Sequence, residues 1–191
     1  MRKKKILIRD LTMIAMMAAL TSALSYVFIP LPFSPVPVTG QTLGVMLSGA
    51  LLGSKKGALS QFIYLLMGAI GLPVFAGGFS GIGVLFGPTG GYLWGFIAGA
   101  FVIGWLIERQ REPRWLYNIA AVTFGGIFVV YFFGVTQLAL VTGMGPVQAI
   151  LLGAVPYLVG DAFKVAGTVV VAQRLLTLNL FPVFRERKSV G

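Results

Sequence analysis

Asp161 and Lys164 are two opposite charges inside a long apolar stretch, in the segment Gly160-Asp-Ala-Phe-Lys164, and their types and spacing suit chemistry. Residues three apart share one helical face, so the pair can serve a single cavity. Ionisable groups within a membrane span are costly and mark a ligand site or pathway by default. The competing reading is an ion pair that only pins one helix to another. Histidine and cysteine are both absent, which removes the commonest general base and all thiolate and disulfide chemistry. Asp10, Glu108, Glu112, Asp161 and Glu186 remain for acid-base work. Hydrolytic chemistry is not expected, and the chain reads as a non-enzyme without metal or cofactor.

The elements that position this pair belong to an integral membrane protein. The chain is 57% hydrophobic and only 10% charged, with mean hydropathy +0.91, whereas soluble domains carry about 25% charged residues. Its net charge of +10 does not point to nucleic acid, because the basic residues fall in short blocks between apolar runs, as the positive-inside rule describes. The blocks are Arg2 to Lys5 with Arg9, Lys55 and Lys56, Arg109 to Arg114, and Arg174 with Arg185 to Lys188.

The 191 residues form one transmembrane domain of the all-α class, a compact bundle of six expected spans. They cover about 11–29, 38–53, 57–72, 92–107, 116–141 and 147–176, with Pro156 as a kink point. A basic amino-terminal segment (1–9) and a tail (177–191) then both lie in the cytoplasm. A cleaved leader is an alternative for the first segment, but its loss would not improve the topology. The turns 30–37, 73–91 and 142–146 contain no charge and fall on one side. With a rise of about 1.5 Å per residue, Asp161 lies about 20 Å and Lys164 about 15 Å from Arg174, nearer that uncharged side.

Two of these turns have unusual backbones. Pro30-Leu-Pro-Phe-Ser-Pro-Val-Pro37 breaks any helix, and residues 73–91 are apolar yet too rich in glycine for a regular one. Uncharged irregular backbone in a membrane protein is tolerated where it is buried or lines a cavity. Thr39, Gln41 and Thr42 offer hydroxyl and amide groups at the start of the second span, although helix capping would also account for them. Ala15 and Ala19 form a small-x-x-x-small step on which another helix can pack, a pattern also frequent by chance. Trp94, Trp105 and Trp115 read as anchors at span ends.

Four segments, Pro35-Val-Pro-Val-Thr-Gly-Gln-Thr-Leu-Gly44, Gly71-Leu-Pro-Val-Phe-Ala-Gly-Gly78, Gly87-Pro-Thr-Gly-Gly-Tyr92 and Gly160-Asp-Ala-Phe-Lys164, resemble those of the biotin transporter family BioY, in order and spacing over nearly the whole chain. The resemblance implies an S component of an energy-coupling factor (ECF) transporter, a vitamin-capturing subunit of a bacterial or archaeal plasma membrane. It implies biotin as ligand, and as partners a transmembrane coupling protein and two ABC-type ATPases. It further implies that Asp161 and Lys164 contact biotin, with Thr39, Gln41, Phe75, Gly77, Gly78, Phe79, Ser80, Thr89, Tyr92 and Tyr157 as further substrate-binding candidates. Ala15 and Ala19 match a docking motif for the coupling protein. Lys164 can serve either the ureido carbonyl or the valerate carboxylate. Residues 73–107 contain no Lys or Arg, so Ser80, Thr89 or backbone amides are the other candidates for the carboxylate. Two further hypotheses are a stand-alone transporter in which the pair couples to protons, and an assembly subunit in which it fixes packing.

Overall fold

A computed structural model describes residues 8–110, 112 and 114–178. The basic residues 2–5, most of the expected cytoplasmic tail, and the Arg185 to Lys188 block lie outside the described residues. Within them the chain is helical: α1 (Ile8–Leu24), α2 (Gln41–Leu52), α3 (Ser54–Ala69), α4 (Ile82–Phe86), α5 (Gly90–Glu108), α6 (Trp115–Thr123), α7 (Val130–Thr142), α8 (Pro146–Gly153) and α9 (Leu158–Thr177). Two short strands, β1 (Phe28–Ile29) and β2 (Val38–Thr39), pair antiparallel, with Phe28 opposite Thr39 and Ile29 opposite Val38.

Helix α5 lies at the centre, packed against α2, α3 and α7. Small residues permit this, as expected where helices must approach closely in lipid. A Cβ on Gly91 would lie 2.3 Å from the Phe133 carbonyl, and one on Gly104 would lie 2.2 Å from the Ser54 amide nitrogen. Helix α9 packs on α2 and α6, and α1 on α2 and α3.

Among the described residues, three stretches are long and apolar enough to cross a membrane: Gly90–Glu108, Trp115–Thr142 and Pro146–Thr177. The second runs from α6 into α7 through a π-helical turn, Phe124–Val129. The third is jointed, because α8 stops at Gly153 and a 3₁₀ turn, Val155–Tyr157, precedes α9. Pro156 thus marks a break in the expected sixth span, not a bend in one helix.

The first two expected helices are shorter than the apolar runs suggested, whereas the third keeps its length and starts three residues earlier, at Ser54. Helix α1 has 17 residues, α2 has 12 and α3 has 16. The ends of the first two runs leave the helices because the proline stretch between them closes a hairpin, and residues 28–29 and 38–39 are its strands. The glycine-rich stretch is also more ordered than its composition suggested, since α4 lies within it.

Polar groups at the ends of the helices have packing partners. Glu108 accepts from the Ser54 amide and hydroxyl, both at 2.8 Å, which satisfies the start of α3 from the end of α5. Lys56 pairs with Asp10 at 3.0 Å, tying α3 to α1. Asn118 links Gln110 (2.6 Å) and Gln173 (2.8 Å), joining the start of α6 to α9. Trp105 stacks under the Arg109 guanidinium at 3.5 Å.

Candidate ligand-binding site

The break before α9 puts Asp161 in the first turn of that helix, beside the uncharged segments. There it closes a compact polar ring. The Lys164 ammonium donates to Asp161 Oδ1 at 2.7 Å and to Thr42 Oγ1 at 2.8 Å. The Thr42 hydroxyl in turn donates to Asp161 Oδ1 at 3.2 Å, and the Tyr131 hydroxyl donates to Oδ2. The Asp161 side chain is 2% exposed and that of Lys164 18%. Charge-assisted bonds of this kind are short, strong and orienting.

The ring borders a cavity of about 440 Å³ enclosed by the hairpin, the glycine-rich stretch, and α2, α5, α7 and α9. Apart from the ring, its walls are largely apolar and aromatic, with Phe28, Leu31, Val36, Phe75, Phe79, Tyr92 and Phe96 among them. Size and lining suit a small organic ligand held by a few polar groups.

Side chains outside the ring fix the walls. The Tyr157 hydroxyl bonds to the Val36 carbonyl and lies 2.9 Å from Ser34 Oγ, which itself donates to the Leu152 carbonyl at 2.9 Å. The proline stretch is thereby tied to α8 and to the turn before α9. Gln41 donates to the Tyr64 hydroxyl and accepts from Thr39 at 2.9 Å, and Tyr64 donates to the Val74 carbonyl at 3.0 Å. Tyr92 donates to the Gly153 carbonyl at 2.7 Å. Its ring meets that of Tyr131 edge-on, with centroids 6.2 Å apart.

Of the residues singled out from the sequence, Asp161, Lys164, Thr39, Gln41, Phe75, Phe79, Thr89, Tyr92 and Tyr157 line this cavity. Gly77, Gly78 and Ser80 do not. Gly77 turns its α-carbon towards the Phe28 ring and Gly78 faces Tyr26, both at positive φ, while Ser80 is exposed. Their role is to shape the turn that presents Phe75 and Phe79. Tyr131 and Phe96 were missed, since an aromatic residue in an apolar helix reads as packing. Ala15 and Ala19 are exposed on α1 and do not line the cavity.

Residues 1–179 match the BioY family. The chain belongs to that family. It is 44% identical to the biotin transporter BioY of Rhizobium etli over 163 residues, covering 82% of this chain and 87% of that one. It is 42% identical to the biotin transporter BioY of Rhodobacter capsulatus over 177 residues, 87% and 93% of the two chains. Among solved structures it resembles the crystal structure of an S-component for biotin from an ECF-type ABC transporter, with TM-score 0.82 and 32% identity over 89% of this chain and 92% of that one. These relatives are biotin transporters or a transporter component and not enzymes, and with its long apolar helices this chain is a multi-pass membrane protein.

Proposed function

We propose that this protein is the substrate-binding subunit for biotin uptake in an ECF transporter, capturing biotin in an outward-facing pocket. One observation carries the reading: an aromatic-walled cavity with a single buried carboxylate–ammonium pair, in a chain that shares fold and sequence with a biotin S-component. A cyclic urea carries N–H donors beside a carbonyl acceptor, and the ring around Asp161 supplies the complementary groups. The bicyclic body and aliphatic tail suit Phe75, Phe79 and Tyr92. The Thr89 hydroxyl, at the start of α5, lies near the positive end of that helix dipole and suits the valerate carboxylate.

In this reading the six-span arrangement places both termini in the cytoplasm of a plasma membrane. The exposed Ala15 and Ala19 face of α1 docks the transmembrane coupling protein, which links the subunit to two ABC-type ATPases. The decisive experiment is calorimetry with biotin on purified, folded protein in detergent or nanodiscs. Tight binding that desthiobiotin competes for is expected, and a folded sample that binds neither would end the proposal. Biotin accumulation in liposomes without ATPase partners would favour a stand-alone transporter instead.

A further inference from the structure

We infer that a groove between α5 and α6, at the basic end of the bundle, seats one acyl chain of an anionic phospholipid whose phosphate is held by Arg109 and Arg114. The inference is independent of the biotin reading, and no residue lining this groove belongs to the ligand cavity.

The groove encloses about 620 Å³. Helix α5 contributes Leu106, while α6 and the π turn contribute Leu116, Ile119, Ala120, Phe124 and Phe128. The latter recur at helical spacing and so share one face, on which Leu116 is 84% and Phe128 63% exposed. Another face of α6 is engaged in the bundle, where Asn118 donates to Gln173. Farther along, a Cβ on Gly99 would lie 2.7 Å from the Gly125 carbonyl oxygen, and that close contact keeps α5 and the π turn together behind the groove. Both walls belong to stretches long and apolar enough to cross a membrane. From Leu116 to Phe128 the groove runs about 18 Å, close to the roughly 15 Å of hydrocarbon in one leaflet, a length that one acyl chain fills.

The charge at the mouth selects the headgroup. Arg109 caps the end of α5, three residues beyond Leu106 and on the same face, and Arg114 caps the start of α6, two residues before Leu116. Both are exposed. The Arg109 guanidinium rests on the Trp105 ring, and among the described residues no carboxylate pairs with either arginine. Glu108 is turned to Ser54, so residues 109–114 carry three arginines against the single acid Glu112. Guanidinium groups bind phosphate oxygens through paired N–H bonds, and basic pockets between membrane helices hold anionic headgroups. A second copy of the chain in the same groove would set arginines against arginines.

The test is native mass spectrometry of the purified, delipidated chain offered dioleoylphosphatidylglycerol or dioleoylphosphatidylcholine at equal concentration. The wild type should retain the anionic lipid roughly fivefold better. Arg109→Gln with Arg114→Gln should abolish that preference, and Arg114→Gln alone, which should at least weaken it, serves if the double variant does not fold. Lys55→Gln removes another exposed charge on α3 and should leave the preference intact. Ala120→Trp fills the groove and should reduce retention of both lipids. Equal retention of the two lipids by the wild type, or an equal loss of preference in Lys55→Gln, would overturn the inference in favour of a nonspecific lipid annulus. Displacement of phosphatidylglycerol by free glycerol phosphate would overturn it in favour of a site for the phosphate alone. Undiminished retention in Ala120→Trp would place the acyl chain elsewhere, and a wild-type dimer that Ala120→Trp disperses would assign the groove to a second copy; either result overturns the inference.

Discussion

The Phe75 ring occupies the space that a Cβ on Gly68 would fill, its Cζ lying 2.1 Å from that position. Phe75 is 1% exposed, meets Tyr64 edge-on with centroids 5.8 Å apart, and forms part of the cavity wall. Gly68→Ala should therefore push the ring out of its notch. Overpacking of this kind costs about 1–3 kcal/mol. A lower melting temperature and weaker biotin binding are expected together. Gly145→Ala, where nothing lies within 4 Å, should leave both unchanged; if the two variants behave alike, the notch is not what holds Phe75.

Removing one partner of a buried ion pair strands the other. Lys164→Met leaves the Asp161 carboxylate without its cation and should destabilise the protein by about 3–5 kcal/mol. The double variant Asp161→Asn with Lys164→Met should regain much of that stability while still failing to bind biotin. Thermal melting followed by calorimetry separates the two effects. A double variant no more stable than Lys164→Met would mean that charge stranding is not the cause.

Glu108 reaches the start of α3 from the end of α5, far along the chain from the cavity lining. Glu108→Ala removes the acceptor for the Ser54 amide and hydroxyl, and loss of such a cap costs about 1 kcal/mol. Melting should fall modestly and biotin affinity should hold. A large loss of affinity would reveal coupling between this helix junction and the site.

Ala15→Leu with Ala19→Leu adds bulk to an exposed face of α1. The isolated subunit should fold and bind biotin as before but copurify poorly with the coupling protein and ATPases. Undiminished copurification would place the docking surface elsewhere.

How much of this was legible beforehand depends on the range of the interactions concerned. Asp161 and Lys164 could be placed together because their spacing is local to one helix, and the uncharged turns could be put on their side by charge pattern. The Pro156 break lay close to a visible proline. Thr42 and Tyr131 meet Asp161 from 119 and 30 residues away, and no local pattern records such closures. Tyr131 was hidden further by the π turn, which changes the helical register without leaving a distinct residue signature. Gly77, Gly78 and Ser80 belonged to the correct segment, but which way a glycine-rich turn faces depends on the surfaces it packs against, here Phe28 and Tyr26.

The closed ring also has a consequence for the energetics of transport. Asp161 and Lys164 are the carboxylate and ammonium in the cavity wall, and their formal charges cancel, so the lining carries no net formal charge to offset that of an incoming monoanion. A biotin carboxylate moving inward would then travel against an interior-negative membrane voltage, at about 2.3 kcal/mol per elementary charge for each 100 mV fully crossed. Capture alone supplies no electrical drive. In proteoliposomes containing the complete transporter, an imposed interior-negative voltage should slow biotin entry; acceleration would show that compensating charge moves with the ligand.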